Sequence, residues 1–144
     1  EDNYGTLLDR AYVECARLLF QSIKKINNRI VDPIPQNAIH PVGFYCSARK
    51  KGDEVIDWNQ TSREIFNFIR SICTPGPQAK TMYRNSELYI NQAKLIHNAP
   101  QFKGIPGAIL DANKNEVFVK TKDSFIKLTE WTCDLKIIRG NRLK

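Results

Sequence analysis

The sequence lacks the short-range motifs that mark most catalytic and metal sites. It has only two histidines, His40 and His97, and its four cysteines are separated by 31, 27 and 60 residues. No cysteine pair therefore has the spacing of a zinc site, and neither a glycine-rich phosphate loop nor a Gly-x-Ser-x-Gly elbow occurs. We predict no catalytic residue and no metal site in this chain.

Long apolar runs are also missing. None approaches the ~18 residues that a membrane span needs, and the chain opens Glu1-Asp2-Asn3-Tyr4 with neither a secretion signal nor an initiator Met. With 42% hydrophobic and 26% charged residues, the composition is typical of a globular protein of one domain or two small subdomains. We expect a cytoplasmic fragment or processed chain that contacts no membrane and keeps its cysteines reduced.

Acidic residues are scarce in the second half. Residues 75–144 hold 12 Lys/Arg and 6 Asp/Glu, a net +6, whereas residues 1–74 hold 10 and 9, a net +1. This imbalance predicts an anionic partner such as a nucleic acid, a nucleotide or a phosphorylated ligand. Arg49, Lys50 and Lys51 are consecutive cations beside a turn, and they are candidates for binding a substrate phosphate.

Two helices are predicted from the apolar spacing. Over residues 3–28, apolar side chains recur every three or four positions, which indicates a long amphipathic helix. A shorter helix is predicted from Thr61 to Cys73, since Thr61 and Glu64 have capping-box spacing and apolar residues then follow at helical intervals. The prolines at 75 and 77 end it. Residues 31–44 contain three prolines and predict an extended segment between the helices.

After residue 77 the apolar period changes from about 3.6 to 2, which favours strands. Alternation occurs at 88–93, 117–120 and 125–130, and apolar runs at 105–110 and 135–138 suggest further strands. Pro106-Gly107 predicts a bulge or tight corner. The predicted fold is α+β: a helical segment over residues 1–74, followed over residues 75–144 by a small antiparallel OB-like β-barrel.

Read in order, several short segments resemble the carboxyl-terminal part of the folate-dependent formyltransferases, whose members act on methionyl-tRNA or on nucleotide sugars. The matching segments are Pro35-Gln36, the run from Tyr45 to Asp57-Trp58, Asn67 with Ile69-Arg70, the turn at Pro75, Pro77 and Ala79, and Ile105-Pro106-Gly107 before Ile109-Leu110. The chain departs from the family pattern at Gln78, where a Gly is common, and at Ala48-Arg49, where two adjacent arginines are common.

The resemblance implies transfer of a formyl group from 10-formyltetrahydrofolate to an amine. It also implies that the catalytic Asn, His and Asp, and most of the 10-formyltetrahydrofolate pocket, lie in an amino-terminal domain that precedes residue 1. Residues 1–74 would then close that catalytic domain, and the chain alone would be inactive. The matched residues would have structural roles, with Arg70 expected in a salt bridge.

Two acceptors remain open. The β module is short, at about 70 residues, and this favours a nucleotide-linked amino sugar as the acceptor, with a homodimer formed through this region. Its net charge of +6 favours the alternative acceptor, the initiator methionyl-tRNA.

A hypothesis from another class is a stand-alone basic OB-like module that binds nucleic acid. Such a module needs aromatic side chains on the outer face of the sheet, interleaved with cations. The candidates are Tyr83, Tyr89, Phe118, Phe125 and Trp131.

Overall fold

The computed structural model describes residues 2–144 and divides into two compact units. One unit spans Leu7–Lys51, and the other consists of Gly52–Lys144 with residues 2–6. Helix α1 (Tyr4–Asn27) is the long amphipathic helix predicted from the spacing, and none of its residues is buried. No helix within residues 2–144 is long and apolar enough to cross a membrane.

The proline-rich segment after α1 differs from the prediction. A single helical turn, α2 (Gln36–Ile39), interrupts the segment that was expected to be extended. None of the three prolines lies inside this turn, and the Ala38 N–H donates to the Pro35 carbonyl at 3.0 Å. Proline is compatible with a helix start because its fixed φ already suits the first turn, so the prediction of an uninterrupted extended chain was wrong here.

Helix α3 (Ser62–Ile72) begins where the capping box predicts. The Thr61 hydroxyl accepts from the Glu64 N–H at 3.3 Å, and the Glu64 carboxylate accepts from the Thr61 N–H at 2.8 Å. Hydrogen bonds from the Thr61 hydroxyl and N–H hold the pKa of Glu64 below its usual range. The reciprocal bonds satisfy two of the free donors at the helix start, which fixes where α3 begins.

Five antiparallel strands follow: β1 (Ala79–Tyr83), β2 (Ser86–Leu95), β3 (Ile109–Ala112), β4 (Val117–Lys120) and β5 (Phe125–Thr132). Their order in the sheet is β1-β2-β5-β4-β3. The sheet curls into a half-barrel, which confirms the predicted α+β, OB-like fold. Helix α3 packs chiefly against β2 and buries Ile65, Ile69 and Ile72 against a core that includes Leu88 and Leu128.

The carboxyl-terminal residues link the two edges of this curled sheet. Leu143 forms a bridge to Tyr83 at the end of β1, and Arg142 forms one to Ala108, just before β3. The Leu143 side chain is only 1% exposed, so this link also contributes to the core. Backbone bonds between Met82 and Lys144, both 2.9 Å long, continue the pairing.

Two strand predictions need correction, and one strand was missed. Strand β1 was not predicted, and the apolar run at 105–110 is a strand only from Ile109 onward. Residues 135–138 do not form a strand, because their backbone bonds to a side chain: the Tyr83 hydroxyl donates to the Lys136 carbonyl and accepts from the Ile138 N–H.

Candidate functional site

The three consecutive cations Arg49, Lys50 and Lys51 lie at the end of the unit Leu7–Lys51. All three are exposed and lie outside helices and strands. Their side chains are therefore placed where a large polyanion can reach them. Whether they bind substrate stays a prediction.

Asp57 and Trp58 build the entry to α3. One Asp57 carboxylate oxygen accepts from the Asn59 N–H at 3.0 Å and from its side-chain amide at 2.9 Å, which forms the turn before the cap. Trp58 is only 4% exposed, and its indole N–H donates to the Thr81 hydroxyl at 2.9 Å. These contacts tie the start of α3 to β1.

Pro75 and Pro77 form the turn from α3 into the sheet, and the buried Ala79 begins β1. Gly76 lies between the two prolines, where an added Cβ would come within 2.7 Å of the Ile72 carbonyl oxygen. Only glycine fits this close approach without a shift of the backbone.

Pro106 and Gly107 form a tight corner before β3, as the sequence predicts. Gly107 has φ +81°, and an added Cβ would lie 2.4 Å from the Leu143 carbonyl oxygen. The Pro106 carbonyl accepts from the Arg142 guanidinium at 3.0 Å. The corner therefore holds the carboxyl-terminal residues in place.

Arg70 does not form the salt bridge that was expected. Its guanidinium donates to the Asn67 side chain at 3.1 Å and to the Asp2 carbonyl at 2.8 Å, and it lies 5.4 Å from the centre of the Phe66 ring. No ion pair of Arg70 occurs anywhere in residues 2–144. Hydrogen bonds and a cation–π contact thus hold the Arg70 side chain in place of the expected ion pair.

Asp123 is a structural centre that sequence analysis missed. Its Oδ1 accepts from the Ser62 N–H at 2.8 Å, the Ser124 N–H at 2.9 Å and the Thr121 hydroxyl at 3.0 Å. The loop before β5 is thereby fixed to the first residue of α3, 61 positions away. An acidic residue in a Lys-Asp-Ser loop gives no signal for such a long-range contact.

Lys120 is the second residue that the sequence did not single out. Its side chain is 1% exposed, its ammonium donates to the Thr121 carbonyl at 2.7 Å, and it lies 4.4 Å from the centre of the Phe102 ring. Burial lowers the pKa of Lys120, and the charge of Asp123 opposes that shift. Because an added Cβ at Gly104 would meet the Lys120 side chain at 3.0 Å, Lys120 packs directly beneath the loop before β3.

Only some of the candidate aromatic residues are accessible. Tyr83 is fully buried, whereas Tyr89, Phe118, Phe125 and Trp131 are half-buried. Phe118 and Phe125 contact each other edge to face at 6.1 Å, and the nearby Lys127 forms an ion pair with Glu116 at 2.6 Å. On that part of the outer face of the sheet, the rings of Phe118 and Phe125 lie near Lys127, whose charge is already paired with that of Glu116.

Thr129 Oγ1 is the one buried side-chain polar atom without a hydrogen-bond partner in residues 2–144. Over the same residues, no cluster of His, Cys, Asp and Glu has the geometry to hold a metal. Of the cysteines, Cys15 and Cys46 are exposed, Cys133 is half-buried and Cys73 is buried.

Comparison with known proteins gives one consistent family. The model of the formyl transferase C-terminal domain matches residues 49–141. Methionyl-tRNA formyltransferase of Staphylococcus epidermidis is 34% identical over 131 residues, which are 90% of this chain and 40% of that protein. The enzyme of Streptococcus agalactiae is 34% identical over 128 residues, covering 89% of this chain and 39% of the relative. That of Mycoplasma capricolum is 35% identical over 134 residues, covering 90% and 40%. The chain thus spans about two fifths of the length of these relatives.

Proposed function

Since the chain belongs to the formyl transferase C-terminal domain family, we propose that it is the carboxyl-terminal part of an enzyme that transfers a formyl group from 10-formyltetrahydrofolate to methionyl-tRNA. The observation that carries this proposal is the match to methionyl-tRNA formyltransferases over about nine tenths of the chain. These relatives favour tRNA over the nucleotide-linked amino sugar that the short β module suggested. A homodimer, predicted together with the sugar acceptor, stays a prediction.

The chemical requirements of formyl transfer indicate which part of the enzyme would carry out the reaction. Formyl transfer needs a base that deprotonates the acceptor ammonium and a donor that stabilises the tetrahedral oxyanion. Asp123 and Arg70 are engaged in hydrogen bonds within the fold. The residues that perform the transfer and bind 10-formyltetrahydrofolate would lie in the part of the enzyme that corresponds to the remaining length of the relatives.

Residues 1–74 would contact that catalytic part, chiefly through α1. Tyr12, Leu19 and Ile26 lie on one face of the helix and are 68%, 63% and 63% exposed. A 24-residue helix with such an apolar face is stabilised in a folded protein by packing against other elements. Residues 75–144 would form the module that faces the tRNA.

The tRNA would be held largely by charge. The net +6 of residues 75–144 and the exposed cations Arg49, Lys50 and Lys51 suit a phosphate backbone, which makes affinity depend steeply on salt. An amino-sugar nucleotide carries far fewer phosphates and would need a deeper pocket for specificity.

Binding of initiator tRNA to this chain tests the proposal. We expect measurable binding at low salt, and a triple substitution of Arg49, Lys50 and Lys51 by alanine should reduce the slope of log affinity against log salt by about 3. The measurement is a fluorescence-anisotropy titration with labelled tRNA at several salt concentrations.

A triple alanine variant of Arg10, Lys24 and Lys25 is the matched control, because it removes the same charge from α1 and should leave the slope nearly unchanged. Binding of a nucleotide-linked amino sugar without binding of tRNA would contradict the proposal.

A further inference from the structure

A groove lies between the turn that joins β3 to β4 and the segment after β5. It has a volume of about 370 Å³, and its lining residues include Ala112, Lys114, Trp131, Leu135, Lys136 and Ile137. We infer that this Trp131 groove binds one unpaired nucleotide of an RNA, with the base against the Trp131 indole and the phosphates beside Lys114 and Lys136. The inference rests on the proposed function only for the identity of the RNA.

The turn that carries Lys114 is fixed by its own hydrogen bonds. The Asn113 side-chain oxygen accepts from the Asn115 N–H at 2.8 Å and from the Glu116 N–H at 2.9 Å. The Asn113 N–H donates in return to the Glu116 carbonyl at 2.9 Å. Lys114 therefore projects from a preorganised turn, which reduces the ordering cost of binding.

The opposite side of the groove is fixed by a buried hydroxyl. Tyr83 is fully buried, and its hydroxyl donates to the Lys136 carbonyl at 3.3 Å. The same oxygen accepts from the Ile138 N–H and from the Asn141 amide, both at 3.1 Å. The backbone at Lys136 is thus held in place without being part of a strand.

Trp131 supplies the aromatic surface. It lies in β5 opposite Ile90 of β2, and it is half-buried against the core while also lining the groove. The other tryptophan, Trp58, is buried and uses its indole N–H to bond to Thr81. Trp131 is therefore the tryptophan on which a base can stack, since any base presents a π-face to an accessible indole.

The two lysines supply the charge. Both side chains are exposed, and neither forms an ion pair in the described part of the chain, residues 2–144. Glu116, which follows Lys114 by two positions, is already paired with Lys127 at 2.6 Å. An aromatic surface with two ammonium groups matches a base and its phosphates, whereas a purely apolar ligand would leave both cations unused.

A titration with fluorescein-labelled single-stranded oligoadenylate of eight nucleotides tests the inference, with anisotropy as the readout. Replacement of Trp131 by leucine should weaken binding by roughly tenfold to a hundredfold. A double alanine variant of Lys114 and Lys136 should weaken it as well, and should reduce the salt slope by about 1.4. The Lys103→Ala variant, which removes one exposed cation outside the groove, should retain the affinity of the parent chain.

Further readouts separate binding from folding and from the proposed function. Trp131 fluorescence in the parent chain should be quenched on binding, and the double lysine variant should keep the parent's urea midpoint. An affinity unchanged in both the Trp131→Leu and the double lysine variants would overturn the inference, as would equal binding of the same sequence as a duplex. A failure here leaves formyl transfer by the complete enzyme intact, and that activity is measured separately.

Discussion

Replacing Ile69 by alanine is expected to lower the free energy of unfolding by about 2–5 kcal/mol. Ile69 is 1% exposed and lies on the face of α3 that packs against the curled sheet. Truncation removes three buried carbon atoms and leaves a cavity between the helix and β2, which relaxes only in part. Urea denaturation followed by circular dichroism measures the change through the shift in midpoint.

Two matched variants make this result specific. The Ile69→Val change removes a single methylene group and should cost only about 0.5–1.5 kcal/mol. The Ile23→Ala change removes the same atoms from α1, where the side chain is 55% exposed, and should alter stability by less than about 0.5 kcal/mol. Equal losses at positions 69 and 23 would mean that α3 is not the helix that the sheet buries.

Replacing Asp123 by alanine is expected to lower the free energy of unfolding by about 2–3 kcal/mol near neutral pH. The carboxylate accepts from the Ser62 N–H, the Ser124 N–H and the Thr121 hydroxyl, and its removal leaves these donors unsatisfied in a largely buried corner. The Asp134→Ala variant, which removes an exposed carboxylate, is the control and should be nearly neutral.

The pH dependence of this loss has a definite sign. Burial raises the pKa of the Asp123 carboxyl, but hydrogen bonds from the Ser62 N–H and from the Thr121 and Ser62 hydroxyls outweigh it and leave the pKa below its usual range. A carboxyl with a lowered folded-state pKa contributes stability above its unfolded pKa and loses it as pH falls through the folded value. The difference between parent and variant should therefore be largest above about pH 5 and shrink toward pH 2. A constant difference across that range would contradict the role assigned to the ionised carboxylate.

The parts of the fold that were predicted correctly from the sequence depend on residues that are close together in the chain. Thr61 and Glu64 sit three positions apart, and a helix start depends on just such neighbours. Gly107 lies beside a proline at a strand start, where a tight corner needs a residue without a side chain. The alternation of Leu88, Ile90, Val117 and Val119 reports which face of each strand is buried.

Three of the misses are contacts between residues far apart in sequence. Residues 135–138 are apolar enough for a strand, yet their backbone is hydrogen-bonded to a side chain. The Tyr83 hydroxyl donates to the Lys136 carbonyl and accepts from the Ile138 N–H. The bond from Ser62 to Asp123 and the burial of Lys120 beneath the loop at Gly104 depend on how the strands are arranged in space. Periodicity carries no information about such arrangements.

The acceptor substrate could not be predicted from the sequence, for a different reason. The shortness of the β module and its net charge of +6 pointed to different substrates, and neither quantity identifies a ligand by itself. The match to methionyl-tRNA formyltransferases favours the acceptor that the charge suggested.

The central claim is that this chain completes a methionyl-tRNA formyltransferase. Its most direct test is a chimera in which residues 1–144 replace the matched 40% of the Staphylococcus epidermidis enzyme. With 10-formyltetrahydrofolate as donor, the chimera should formylate methionyl-tRNA with a kcat/KM at least about tenfold above that of the amino-terminal part alone, a gain of ~1.4 kcal/mol in transition-state stabilisation. It should leave a nucleotide-linked amino sugar unmodified. A folded chimera that gains nothing over the amino-terminal part, or that formylates the sugar in place of the tRNA, would contradict the claim.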